Sequence, residues 1–388
     1  MSPVISSGSG LAKKRGSTPP TILSFLGQTS WSRPIADTPV QAYGLGWTMK
    51  PFNTKTGLDS IISALAPNQY AWYSGPGTLP TSADFAAGRF YSTSTPAPLV
   101  ISSSSGNGYS ITNKNLASPA IIDFGCSANQ WDSTKITANH VEFKYTGTSS
   151  FAGILINSCS NLYIFGGDYS GGTSGGSGFN MMGNTNHCYF MDLYAHDCGT
   201  GGLSSIPKDA FTGALTTHDN NTWRGEVYNW GTDPAADSHV QAPGTGLHGF
   251  MAADAGGTWT NNKVAVWGHD PTTVGCVFEI GSQVSKGSGL LANNTIYAKG
   301  EHLHFHSTQS CANVVNLWGD KDLSTNTFAW IEGNDIYGAV IRSSGSSSIT
   351  QGMPVTHGRH SQTNLNPSDG LTVPYEQGIG IAYSSDVL

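Results

Sequence analysis

The sequence predicts an all-β fold, a single-stranded right-handed parallel β-helix solenoid with an N-terminal helical cap. Three observations lead there. Segments headed by asparagine recur through the middle of the chain, and alternate residues behind each asparagine are apolar. The composition is also that of a strand-and-turn protein, with 49 glycines among 388 residues and only 11% charged side chains. Glycine and asparagine tolerate positive φ, so this mixture suits many tight turns.

Asn161, Asn186, Asn221, Asn262, Asn294 and Asn334 form the recurring column, spaced 25, 35, 41, 32 and 40 residues apart. Two residues on stand Tyr163, Cys188, Trp223, Val264, Ile296 and Ile336; four on stand Phe165, Phe190, Gly225, Val266, Ala298 and Gly338. The odd offsets include His187, Thr222, Arg224, Glu226, Lys263, Lys299 and Asp335. A period of two with one apolar face is a strand that sends every second residue into a shared interior.

Gly153, Gly178 and Gly213 each lie eight residues ahead of an asparagine of that column, so each repeat reads strand, turn, Asn, strand. The shortest spacing fits one bare coil, and the longer ones fit the same coil with inserted loops. Asparagine suits the bend because it accepts left-handed backbone angles, and stacked amides can hydrogen-bond from repeat to repeat. Hairpin signals at regular short spacing, which an antiparallel sandwich needs, are not found.

Nearer the start, Leu58, Ile61, Ile62 and Leu65 trace one face of a helix, followed by the strand-like run Tyr70 to Thr78. This stretch resembles the opening module of pectate-lyase-like β-helix proteins, although Ser74-Gly75 replaces the usual apolar-Pro step. The resemblance implies a helix that covers the open end of the core, and carries no activity with it. The chain then divides into a flexible N-terminal arm at 1–45, a capped β-helix at 46–345, and a tail at 346–388 that closes the helix or contacts a partner subunit.

A net charge of -7 argues against nucleic acid as a partner, because phosphate binding needs a basic surface. Lys13-Lys14-Arg15 is the one basic cluster, set in a Gly/Ser/Pro-rich leader. No apolar run approaches a membrane span, and residues 1–20 lack the apolar core of a secretory signal. Either the protein acts without Sec export or a leader has been removed. The six cysteines show no CxxC pair, which leaves free and mostly buried thiols as the expectation.

Stacked coils present like residues about 4.8 Å apart, a geometry that suits polysaccharide. Glycoside hydrolysis requires two carboxyl groups flanking a bond. If Gly213, Gly249 and Gly275 are equivalent, Asp219, Asp254 and Glu279 share one edge and form the expected catalytic set, with His248 orienting substrate or acid. Expected substrate contacts are His218, Arg224, Trp230, Trp267 and His269. A column seven residues after the asparagine (Asp168, His269, Glu301) is broken by Leu193 and Tyr228, and reads as a polar ledge.

No cofactor is expected, apart from calcium were the protein a lyase. His302, His304 and His306 share one strand face about 6.6 Å apart per step, wide for one metal ion, and read as a solvated or sugar-binding row. Three functions follow. The leading one is a phage tail-associated β-helix protein, a homotrimer docked on the virion, that binds or depolymerises host cell-surface polysaccharide. The resemblance there is one of architecture. The others are a free extracellular glycoside hydrolase or lyase and a non-catalytic adhesive solenoid. Gly246-Leu247-His248-Gly249 only loosely resembles the Gly-His-Gly motif of polygalacturonases, which puts pectin hydrolysis in doubt.

Overall fold

The computed structural model describes residues 47–87, 89–90, 97–106, 108–125, 139–147, 152–171, 177–198, 201–205, 217–230, 248–252, 257–269, 276–280, 289–301, 315–317, 321–322, 327–332, 335–337 and 359–362. Of Trp230, His248, His269 and Glu279 it describes the backbone alone. The expected arm at 1–45, Asp254, and the row His302, His304 and His306 lie outside the described residues, as does nearly all of the tail at 346–388.

The fold is all-β. Among the described residues two short helices, Lys55–Ser63 and Ser82–Ala86, accompany strands that join into a sheet of nineteen and a sheet of seven. The asparagine-led strands pair in parallel. In the seven-stranded sheet Tyr109, Ile154, Phe179, Leu203, Phe250, Phe278 and Val315 stand opposite one another in turn. In the larger sheet the corresponding line is Ile121, Tyr163, Tyr189, Thr222, Lys263, Thr295 and Asp335. Two antiparallel pairings occur near the end, where Thr327–Glu332 meets Lys321–Asp322 and Arg359–Gln362.

Side chains alternate as the sequence pattern requires. Ile154, Ile156, Phe179, Met181 and Phe250 of the smaller sheet face Ile164, Phe190, Trp223, Val264 and Ile296 of the larger one, all fully buried in one cluster. Rings touch in an unbroken series through this core: Phe52–Phe124 at 6.4 Å, Phe124–Phe143 at 4.8 Å, Phe143–Tyr169 at 5.5 Å, Tyr169–Phe179 at 5.1 Å, Phe179–Trp223 at 5.3 Å and Trp223–Phe250 at 5.0 Å. Edge-to-face and offset pairs of this kind each add about 0.5–1.5 kcal/mol beyond area burial.

The bend between successive strands of the larger sheet uses two residues with separate roles. Asn161, His187, Asn220, Asn261 and Asn293 hold the left-handed conformation, with φ of 55°, 52°, 54°, 56° and 58°. The residue after each points inward, giving the column Leu162, Cys188, Asn221, Asn262 and Asn294, every one at most 1% exposed. Asn221, Asn262 and Asn294 therefore align as the sequence pattern expects. Asn161 and Asn186 do not, because Leu162 and Cys188 occupy the inward position in the earlier repeats.

Those inward asparagines stitch the repeats together. Each Oδ1 accepts the backbone N–H one repeat earlier: Asn221 from Cys188 at 3.0 Å, Asn262 from Asn221 at 2.9 Å, Asn294 from Asn262 at 2.9 Å. Each Nδ2 donates to a carbonyl of the preceding turn, that of Thr185, His218 or Trp259, at 3.2, 3.0 and 2.9 Å. Asn262 also donates to the Asn294 amide oxygen at 3.1 Å. Buried backbone groups that lack a ladder partner are thereby satisfied.

The glycine column needs one correction. Gly178 stands opposite Gly153, but its next partner is Gly202, followed by Gly249; Gly213 lies outside the described residues. Close backbone approach explains Gly153, where a Cβ would lie 2.8 Å from the carbonyl oxygens of Phe143 and Ser170. The same register sets His248 opposite Cys276, so Gly249 and Gly275 are not equivalent.

At the N-terminal end Thr54 caps the helix Lys55–Ser63, its hydroxyl accepting from Gly57 N–H at 3.1 Å. Leu58, Ile62 and Leu65 enter the main core with Phe52 and Tyr73, and Ile61 packs against it. The apolar face read from the sequence is thus the buried one. The helix Ser82–Ala86, closed by a Thr81/Asp84 capping box, was not foreseen.

Candidate functional site

Where Leu193, Ala195, Gly225, Val227 and Val266 turn inward, their neighbours in the larger sheet face outward and line up across strands. One such line runs Val100, Glu142, Asp168, Tyr194, Glu226 and Trp267 in register, with the Lys299 backbone opposite Trp267; Glu226 is fully enclosed. The next outward line runs Ser102, Lys144, Ser170, His196 and Tyr228, with the His269 backbone opposite Tyr228. Tyr163 and Tyr189, with ring centroids 4.4 Å apart, extend the same face on the adjoining part of the sheet. Tyr189 and Tyr228 are among the most exposed large apolar side chains, at 37% and 36%.

A β-bulge creates this alignment. The register between Tyr189–Cys198 and Thr222–Trp230 shifts between Phe190 and Leu193, inserting an extra residue at Met191-Asp192. Asp192 takes positive φ (58°) and its carboxylate pairs with the guanidinium of Arg224, which is 2% exposed. Burial makes such a pair a matter of orientation more than of net stability.

His196 is the hinge of the polar cluster. One ring nitrogen, Nε2, meets Asp168 Oδ1 at 2.6 Å, and the other, Nδ1, meets Asp197 Oδ2 at 2.6 Å. The Asn229 amide donates to Asp197 in turn. Burial alone would depress the imidazole pKa, but the hydrogen bonds and charges of Asp168 and Asp197 outweigh it and raise it to about 9. His196 is therefore an imidazolium at neutral pH. Asp197 is lowered: burial opposes its ionisation, and bonds to His196 and Asn229 with the charges of His196 and Lys144 prevail. The Tyr194 ring stacks on His196 at 5.0 Å, and burial, reinforced by Glu226 and Asp168, pushes its phenol upward.

Beside this cluster stand His140 and Glu142. His140 Nε2 is 3.3 Å from Glu142 Oε1, and one ligand atom each from His140, Glu142 and Asp168 lie within 4.8 Å of one another. Among the described residues this is the group able to converge on one ion.

The expected site residues distribute unevenly. Arg224 and Trp267, and by backbone register His269, fall on the outward face just described. Trp230 stands opposite Cys198 at the end of the same strand. Arg224 is enclosed and already paired with Asp192, so its role is to set the sheet beneath the face. His218, expected to touch substrate, is a core residue: it is 1% exposed, its Nδ1 sits 2.6 Å from Thr185 Oγ1, and burial pushes its pKa down to about 3. A neutral, enclosed imidazole does not meet a ligand.

Asp219 is partly exposed, and its two oxygens accept from Thr260 Oγ1 at 2.7 Å, Asn261 Nδ2 at 2.8 Å and Asn220 Nδ2 at 2.6 Å. It braces the left-handed turns of two repeats. Its strand partners are Asn186 and Thr260 in the larger sheet, whereas Glu279 is placed opposite Met251 and Asn316 in the smaller one. The register thus separates Asp219 and Glu279 onto different sheets, and His248 lies with Glu279 rather than with Asp219. The sequence reading passed over Glu142, His196 and Tyr194; the column containing Asp168 was the signal that could have found them.

Compared with known proteins, the chain matches no protein family, no curated protein and no solved structure.

Proposed function

We propose that the chain is a right-handed parallel β-helix of the pectate-lyase-like kind and that the outward face of its larger sheet binds an extended polysaccharide. The right hand is supported by the near-universal sense of crossovers between parallel strands. The observation that carries the binding reading is the set of aromatic side chains on that face: Tyr194 and Trp267 on one register line, with Tyr163, Tyr189 and Tyr228 beside it. Parallel stacking sets such rings at multiples of the strand spacing of about 4.8 Å. Rings supply flat apolar surface to sugar faces.

A tail-associated protein of a phage particle, trimeric and docked through its arm, is the setting that the basic leader and inserted loops support. Cell-surface glycan is then the natural ligand. Glycan-array binding followed by titration tests the reading. Tyr189→Ala and Trp267→Ala should each weaken binding about tenfold, the scale of about 1.4 kcal/mol expected for losing one stacked ring, while Asp219→Asn leaves it within twofold. Equal affinity in the wild type and both aromatic variants would end the proposal. Release of new reducing ends from a bound glycan would add hydrolysis to recognition, and absorbance from a double bond would add elimination.

A further inference from the structure

One edge of the outward face has a composition that glycan recognition does not require. His140 and Glu142 are two apart at the start of the strand Val141–Tyr145, and Asp168 is the register partner of Glu142 on the next strand. Two carboxylates facing each other across neighbouring strands repel, and a cation between them relieves that repulsion. Both are largely shielded, with side-chain exposures of 32% and 16%, and His140 is shielded further at 13%.

The distances fit an ion site. A charge-assisted N–H···O bond is about 2.7–2.9 Å long. The 3.3 Å between His140 Nε2 and Glu142 Oε1 is longer than that, and matches the edge of a tetrahedron with metal–ligand bonds of about 2.0–2.1 Å. The third donor, on Asp168, lies within 4.8 Å of both, close enough to complete a face of such a polyhedron with small side-chain adjustment.

A support shell is in place around the third donor. Asp168 Oδ1 is held by His196 at 2.6 Å, leaving the other carboxylate oxygen for a ligand; His196 is held by Asp197, and Asp197 by Asn229. Outer hydrogen bonds of this sort fix the orientation of ligating groups. Mixed imidazole and carboxylate donors favour zinc or a neighbouring transition metal over calcium, which prefers six to eight oxygens.

We propose that His140, Glu142 and Asp168 bind one divalent transition-metal ion of the zinc class through three protein ligands, with the remaining position open to water or a ligand hydroxyl. This assignment is independent of polysaccharide binding. The test uses the full chain, freed of metal by chelator and dialysis, titrated calorimetrically with zinc chloride and, separately, with calcium chloride. Zinc should bind at one equivalent, and cobalt(II) at the same site should give the intense visible bands of a four-coordinate nitrogen and oxygen set.

Glu142→Gln and Asp168→Asn keep side-chain volume and should each weaken zinc at least tenfold, with circular dichroism unchanged. His140→Ala should remove the cobalt bands. Binding of calcium in preference to zinc, no binding of either, or zinc affinity unaltered in all three folded variants would overturn the assignment. If a variant fails to fold, the wild-type stoichiometry and cobalt spectrum still decide the matter.

Discussion

Removing the Asn262 side chain should destabilise the protein far more than altering its neighbour. In Asn262→Ala the Asn221 amide loses its acceptor at 2.9 Å, the His218 carbonyl loses its donor at 3.0 Å, and the Asn294 amide oxygen loses the Asn262 side-chain donor at 3.1 Å. Asn262 is completely enclosed, so water does not replace these partners. An orphaned buried polar group costs about 1–3 kcal/mol. One donor and one acceptor together place the loss at roughly 3–4 kcal/mol.

Asn261→Gly is the matched control. It keeps the left-handed turn at φ 56° without strain and gives up one exposed hydrogen bond to Asp219, for a change of about 1 kcal/mol or less. Denaturant midpoints followed by circular dichroism give both differences. Hydrogen exchange at the Asn221 amide adds a local readout, since that proton should exchange faster in Asn262→Ala alone. A loss below about 1 kcal/mol in Asn262→Ala, or one no larger than in Asn261→Gly, would refute the ladder as a source of stability.

Stability should peak near pH 6.5, because two histidines titrate with opposite sign. His196, raised from 6.5 to about 9, contributes stability that is complete below about 6.5 and lost as pH climbs through 9. His218, lowered to about 3, makes folding less favourable as pH falls from 6.5 toward 3, because only the unfolded chain takes up the proton. Denaturation across pH 4–9.5 in chelator reads both limbs, and His196→Gln should flatten the alkaline one, worth at most about 3 kcal/mol; an unchanged alkaline limb would dismiss the His196 bridge. Cys159, Cys188 and Cys198 are free and buried, and burial pushes their thiols up to about 11, 12 and 12, so they should resist a thiol reagent at pH 8 until denaturant is added. Rapid labelling of the native protein at these three would contradict their enclosure.

Much of the strand pattern was legible. Trp223, Val264, Ile296 and Ile336 align in the structure as they do in the sequence, because Asn221, Asn262 and Asn294 occupy one physical role. The earlier repeats hid their register. There a leucine and a cysteine fill the inward position, and His187 supplies the left-handed turn, so matching on asparagine alone slid those strands out of step. The strand Gly201–Ser205 (GGLSS) escaped notice for want of apolar alternation.

The outward face was obscured by the bulge at Met191-Asp192. One extra residue inverts the in-and-out pattern of everything after it, so the column drawn through Asp168, His269 and Glu301 joined two lines: Asp168 continues to Tyr194, Glu226 and Trp267, whereas His269 and Glu301 follow His196 and Tyr228. The offsets used to gather Asp219 and Glu279 assumed equal spacing between sheets, and inserted segments destroy that equality. Contacts such as Glu142 to Asp168 depend on register across repeats, and no local spacing reports them.

The last edge of the larger sheet is finished by Arg359–Gln362, four polar residues running against the direction of Thr327–Glu332. A bare, long, apolar margin would offer its unpaired amides and carbonyls to the first strand of another molecule, inviting end-to-end polymerisation into a filament. A short reversed hem carrying arginine and histidine offers little template for that growth.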